Sequence, residues 1–283
     1  MQLFLKTALL CTLLIGTADV MAHKNPQPSL SPAWQVAGLE IPESVIEVKR
    51  GGKSYFLVSV IKGDFFSKDG DGDIAKISAN GKLLDSQWAS GLNAPKGLAV
   101  SGKFLYVYDI DEVAVIDLKT GEIVNVIPVP GAVFLNDVAA NHRGDIFVSD
   151  TGVGKIFRIR NFVPEVYIDN VASANGLFID KDELVVGSGA QLVGYNTALE
   201  ATVITQLPSG LIDGIAEVKR DSYLVSIWEG QIYWINRDGS QTLLLDLTAQ
   251  GIYTADFAYS NEKRLVVVPN FFSNTVTAYR LKY

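Results

Sequence analysis

Cysteine is nearly missing from this sequence: of 283 residues, only Cys11 is one. It lies in the apolar stretch near the amino terminus, so the rest of the chain can form no disulfide and offers no thiolate to a metal. Histidine is almost as scarce, with His23 and His142 alone. That excludes a histidine-rich zinc or copper centre and a histidine-based triad. There is no Gly-x-Ser-x-Gly elbow and no phosphate-binding Gly-x-x-x-x-Gly-Lys loop, which removes serine hydrolase and nucleotide-dependent chemistry. Basic residues are outnumbered, 24 against 31 acidic ones, and form no stripe, so the surface should repel nucleic acid phosphates and anionic membranes.

Long apolar runs are also missing. The longest, residues 7 to 16, is apolar apart from Thr7 and Thr12 and is too short to span a bilayer. Preceded by Lys6 and followed by Val20-Met21-Ala22, it reads as a signal peptide over residues 1–22. The expected mature chain, 23–283, is then periplasmic or secreted, with no membrane insertion after cleavage. A lipoprotein needs a small residue before its cysteine, whereas Leu10 precedes Cys11 and Leu13, Leu14 and Ile15 follow it.

What is present in quantity is glycine, 25 residues, among 48% apolar residues. The glycines punctuate one repeated unit: a small or polar residue, an apolar alternation, a tight turn and a second apolar strand. Lys96-Gly97-Leu98-Ala99-Val100 leads to Phe104-Leu105-Tyr106-Val107-Tyr108. Asn136-Asp137, Asn175-Gly176, Asp213-Gly214 and Ala255-Asp256 open further copies, and Glu43-Ser44 opens the first. The starts lie 53, 40, 39, 38 and 42 residues apart, and the excess in the first interval falls between Val60 and Asp73 as an inserted loop. Two further strands complete each copy, and four strands in roughly forty residues are the signature of a propeller blade. The sequence therefore predicts an all-β fold, a six-bladed β-propeller with four antiparallel strands per blade. The last copy holds three strands before Tyr283, so Trp34-Gln35-Val36 is expected to supply the fourth and close the ring. A β-sandwich or solenoid is the rival architecture.

In a propeller the first strand of each blade lines the channel. The six head residues, Glu43, Lys96, Asn136, Asn175, Asp213 and Ala255, should meet at one mouth. Glu43, Asn136, Asn175 and Asp213 are hard oxygen donors suited to Ca2+ or, less well, Mg2+ or Mn2+. The plainer reading makes them turn residues that cap backbone groups. Loops between second and third strands return to the same mouth. They carry Phe65-Phe66, Asp109, Asp150, Trp228, Asn270 and Phe271-Phe272, a set expected to bind a small-molecule substrate. Lys96 either repels a cation or neutralises Glu43 or Asp213. Asp69-Gly70-Asp71-Gly72-Asp73 looks like the start of an EF-hand loop, but Ile74 and Asn80 replace the glycine and glutamate such a loop needs, so a solvated acidic loop is expected.

The glutamate of the first copy, Asn136-Asp137, Asn175-Gly176 and Asp213-Gly214, in order at blade spacing, resemble the senescence marker protein/gluconolactonase family, related to regucalcin, diisopropylfluorophosphatase and paraoxonase. The resemblance covers nearly the whole mature chain. It implies that Glu43, Asn136, Asn175 and Asp213 hold a divalent cation, commonly calcium, that serves hydrolysis of lactones, esters or organophosphates. The family carries an arginine two residues before the first asparagine, where this chain has Phe134, and the paraoxonase histidines have no counterpart here. The expected function is a calcium-dependent hydrolase of a small lactone or ester, with Asp213 as nucleophile or base and Lys96 steadying negative charge. The alternative is an exported, non-catalytic propeller that binds a small ligand or a protein.

Overall fold

The computed structural model describes residues 27–283, which form six four-stranded antiparallel sheets. The segment expected to be a signal peptide, with Cys11, and the following His23 lie outside the described residues. Five sheets are built from four consecutive strands each. Their inner strands are Pro42–Arg50, Pro95–Ser101, Leu135–Ala140, Ala174–Asp180 and Ile212–Lys219. The sixth sheet joins Ala258–Ser260, Leu265–Asn270 and Thr275–Lys282 to Ser29–Ala37 from the other end of the chain. This is the expected propeller, closed by the expected segment: Gln35 stands opposite Thr277 and its Nε2 donates to Thr277 Oγ1 at 2.9 Å. Closure is repeated at the channel, where Val45 N donates to the Asp256 carbonyl at 3.2 Å and Ser44 Oγ to the Asp256 carboxylate at 2.5 Å.

Three second strands, Ile146–Asp150, Ser222–Ile227 and Leu265–Asn270, are buried from end to end, because a neighbouring blade covers each face. The core is accordingly a set of layers between sheets. Tyr106, Val113 and Val115 of the second blade, for example, pack on Val138, Ile146 and Val148 of the third. Outermost strands such as Ile123–Pro128 keep water on one side, which leaves Val124 and Val126 exposed.

Each of the five long inner strands carries the same irregularity. Register with the second strand breaks between Pro42 and Val45, Pro95 and Leu98, Leu135 and Val138, Ala174 and Leu177, and Ile212 and Ile215. Such a bulge turns the side chains of its extra residues away from the ladder. The residues released in this way are the heads Glu43, Lys96, Asn136, Asn175 and Asp213. In alternate blades a serine hydroxyl takes the freed backbone N–H: Ser59 from Ser44, Ser149 from Asp137 and Ser226 from Gly214, at 2.9, 3.0 and 2.7 Å. Inner strands then approach so closely that a Cβ at Gly176 would collide with the Asp213 carbonyl, so that position requires glycine.

Candidate functional site

At the channel mouth lies a cavity of about 230 Å³. Its floor is Glu43, Lys96, Asn136, Asn175 and Asp213, and its walls are Phe65, Phe66, Phe134, Thr151, Leu211, Trp228, Phe271 and Phe272. The fold thus gathers all four expected cation ligands and Lys96 in one place, with Trp228 and Phe271 beside them.

Asp109, Asp150 and Asn270, also expected to meet substrate, do not line this cavity. They are buried at the ends of second strands, with their polar atoms committed to the backbone and neighbouring side chains. Asp109 accepts the N–H groups of Asn93 and Ala94 at 2.8 and 2.7 Å. Asp150 accepts those of Val133, Phe134, Gly152 and Val153 at 2.7 to 3.1 Å. Asn270 donates to the Tyr253 carbonyl at 3.2 Å and accepts from Thr277 at 2.8 Å. The structure brings these three next to the site as holders of its loops. Asp150, for instance, anchors the segment that presents Phe134.

Phe134, Thr151 and Leu211 belong to the wall but were not read as substrate contacts in the sequence. Phe134 and Leu211 sit in loops that enter inner strands, two residues before Asn136 and Asp213. Side chains at that spacing were the signal available. Thr151 Oγ1 donates to the Ala174 carbonyl at 2.6 Å and accepts from Asn136 Nδ2 at 3.1 Å. It therefore ties the third blade to the fourth and leaves the Asn136 amide oxygen for another partner.

The floor is crowded with acids. Glu43 is 4% exposed and Asp213 3%. Burial pushes both carboxyls well above the usual range; Asp213 raises Glu43 further, and Asp256 raises Asp213. Asp137 and Asp256, one residue past Asn136 and Ala255, line a second cavity of about 380 Å³ at the channel's other end. Asp137 is spoken for: it accepts Val138 N and Leu177 N, each at 2.6 Å, and so stitches the third blade to the fourth. Burial also raises it, and it lifts Asp256 to about 7. Lys96 does not neutralise this charge by contact. Its ammonium forms no ion pair among the described residues; it reaches the Ala94 carbonyl at 3.4 Å and lies 4.8 and 5.2 Å from the rings of Phe134 and Tyr108. Burial lowers its pKa, while Glu43 and Asp109 oppose that shift.

Three floor oxygens are buried without a hydrogen-bond partner: Glu43 Oε2, Asn175 Oδ1 and Asp213 Oδ1. Orphan oxygens of this kind are rare in folded proteins, and their donor type matches a hard cation. No group of three or more His, Cys, Asp or Glu side chains is placed to hold a metal among the described residues. The floor differs from such a cluster in that half of its donors are amides. The acidic run near residue 70 contributes nothing to it. Asp73 is buried rather than solvated, ion-paired with Lys62 and accepting from Gln87 at 3.0 Å.

Fold and floor define a six-bladed propeller with a pocket at one channel mouth, polar and acidic at its floor and aromatic at its walls. No protein-family model matches the chain, and no curated protein matches it in sequence. Solved structures do share its fold. A protein described as a candidate gluconolactonase is 15% identical over 91% of this chain and 94% of its own, with a TM-score of 0.66. A streptogramin B lyase is 14% identical over 90% and 98%, at 0.63. A chain of a nidogen/laminin complex is 14% identical over 77% and 84%, also at 0.63. At these identities the likeness is one of fold.

Proposed function

We propose that the protein is an exported hydrolase of a small ester or lactone that depends on a divalent cation, calcium by preference. The observation that carries this reading is the trio of orphan oxygens, Glu43 Oε2, Asn175 Oδ1 and Asp213 Oδ1, on the floor of a substrate-sized cavity. Buried carboxylates that repel one another need a proton or a cation, and two carboxylates with two amides suit calcium. Held by Glu43, Asn136, Asn175 and Asp213, the cation would supply Lewis-acid polarisation of a carbonyl or phosphoryl oxygen. The chain's own groups do the rest. Asp213 is the nucleophile or base at the reacting carbon, and an ionised state, which the cation favours, makes it the nucleophile. The Lys96 ammonium, lodged in the same floor, faces negative charge that develops on the substrate oxygen. The aromatic walls keep bulk water away.

The gluconolactonase likeness is in keeping with a hydrolase. The lyase likeness is less so. A catalytically inactive virginiamycin B lyase from Staphylococcus aureus, 13% identical over 90% of this chain and all of its own at a TM-score of 0.62, carries a histidine-to-alanine change. Here no histidine lines the cavity, and His142 lies in the turn after an inner strand, bonded to Arg143 at 3.3 Å. A non-catalytic binding propeller remains the second reading, favoured by Phe66 and Phe272, which are 62% and 55% exposed at the rim.

Calorimetry with calcium, followed by a lactone and ester panel with and without chelator, separates the two. The hydrolase binds calcium at or below millimolar concentration, and Asp213→Asn abolishes turnover with the fold kept. No cation binding, together with activity unchanged in Asp213→Asn, refutes it. Mass spectrometry of the exported protein should find its amino terminus near His23.

A further inference from the structure

We infer that the substrate presents an apolar alkyl or aryl group to this site, and that the Phe65-Phe66 loop roofs that group; the inference rests on the hydrolase reading for its chemistry but not for its geometry. The loop is the insertion of the first blade, between strands Lys53–Val60 and Gly72–Ser78. Its two phenylalanines part to opposite sides of the mouth. Phe65 meets Phe271 and Phe272 of the sixth blade, ring centres 5.5 and 6.2 Å apart. Phe66 reaches past the second blade to Phe134 of the third, at 5.2 Å. Trp228 extends the wall through Phe271, edge to face at 4.7 Å.

Above the floor, every lining side chain is apolar except for the Trp228 indole N–H and the Thr151 hydroxyl. The hydroxyl is already engaged by Ala174 and Asn136. A polyhydroxylated ring would bury hydroxyls that find no partner, each at a loss of roughly tenfold in affinity. An alkyl or aryl group loses nothing on entering and gains the area it removes from water. The wall is also held in place. Phe271 is 5% exposed and packs with Ile61, Ala94, Ile110 and Ala255 in a cluster separate from the layers between blades.

The test pairs turnover with binding. With calcium present, 4-nitrophenyl esters from acetate to hexanoate should rise in kcat/KM by roughly fourfold per methylene, carried by KM. A sugar-acid lactone should fall at least a hundredfold below an alkyl lactone of equal ring size. Phe66→Ser and Phe134→Ala should flatten the chain-length slope, with the longest ester losing most; Phe66 is exposed enough for its loss to spare the fold. Calorimetry with a non-hydrolysable alkyl lactam and a polyhydroxylated lactam reads the same preference without catalysis. Turnover with no chain-length slope, or tighter binding of the polyhydroxylated lactam, overturns the inference and leaves the hydrolase standing. Selective binding of the alkyl lactam with no ester or lactone hydrolysed supports the inference and sinks the hydrolase.

Discussion

The carboxyl of Asp256 should make the cation-free protein less stable as pH rises. Burial holds its pKa at about 7 against an ordinary 3.8, even though Ser44 and the Phe257 N–H both favour the ionised form. In the folded chain it therefore keeps a proton that the unfolded chain has released. Between pH 4 and 7 the folded state binds more protons, so stability is full below pH 4, falls as pH climbs, and levels off above 7. At about 1.4 kcal/mol per pH unit the ceiling is about 4 kcal/mol. Because the side chain is partly open to the lower cavity, solvent screening should reduce this to about 1–2 kcal/mol. For a domain of this size that is a fall of about 2–8 °C in Tm. Melts in chelator from pH 5 to 8.5 should show it. Asp256→Asn, which keeps an acceptor for Ser44, should flatten the curve, while Glu43 and Asp213 leave it some slope. Calcium added at pH 8 should restore the loss by countering the floor's charge. A Tm that rises across this window, or a variant whose curve has the wild-type slope, refutes the reasoning.

Replacing Lys96 with methionine keeps its length and removes its charge. Turnover should drop about a hundredfold if the ammonium steadies an oxyanion, whereas tighter calcium binding with unchanged turnover would mark it as a repelling charge only. Asp150→Ala strands the N–H groups of Val133, Phe134, Gly152 and Val153. Denaturant melts should show a loss of roughly 3 kcal/mol, and KM should rise because Phe134 loses its anchor. Gly176→Ala forces a Cβ into the Asp213 carbonyl. It should cost about 1–3 kcal/mol or more and weaken calcium binding at the same time, which a surface glycine such as Gly102 would not.

The blade repeat was legible because it rests on local chemistry. Alternating apolar residues, polar turns and a forty-residue period were visible without any long-range contact, and so was the missing fourth strand that Trp34-Gln35-Val36 supplies. The heads of the inner strands were legible for the same reason: one position in each repeat, projected around a ring, gives the floor. Roles at the ends of second strands were not. Asp109, Asp150 and Asn270 share the composition of binding residues, and only the tertiary structure reveals that backbone N–H groups from loops some sixteen residues away consume the oxygens of Asp109 and Asp150, while Asn270 spends its amide on the Tyr253 carbonyl and the Thr277 hydroxyl. The bulges escaped notice too, since a register break is a relation between two strands and leaves no mark in either one. Phe66 and Phe134 lie far apart in the chain, and what joins them is the length of one inserted loop and the curvature of the ring. Sequence periodicity by itself determined the propeller and the chemistry of its floor. The depth of the pocket, its aromatic roof and the lack of an ion pair for Lys96 among the described residues were decided by the tertiary structure, because burial and direction arise only when six blades close around one axis.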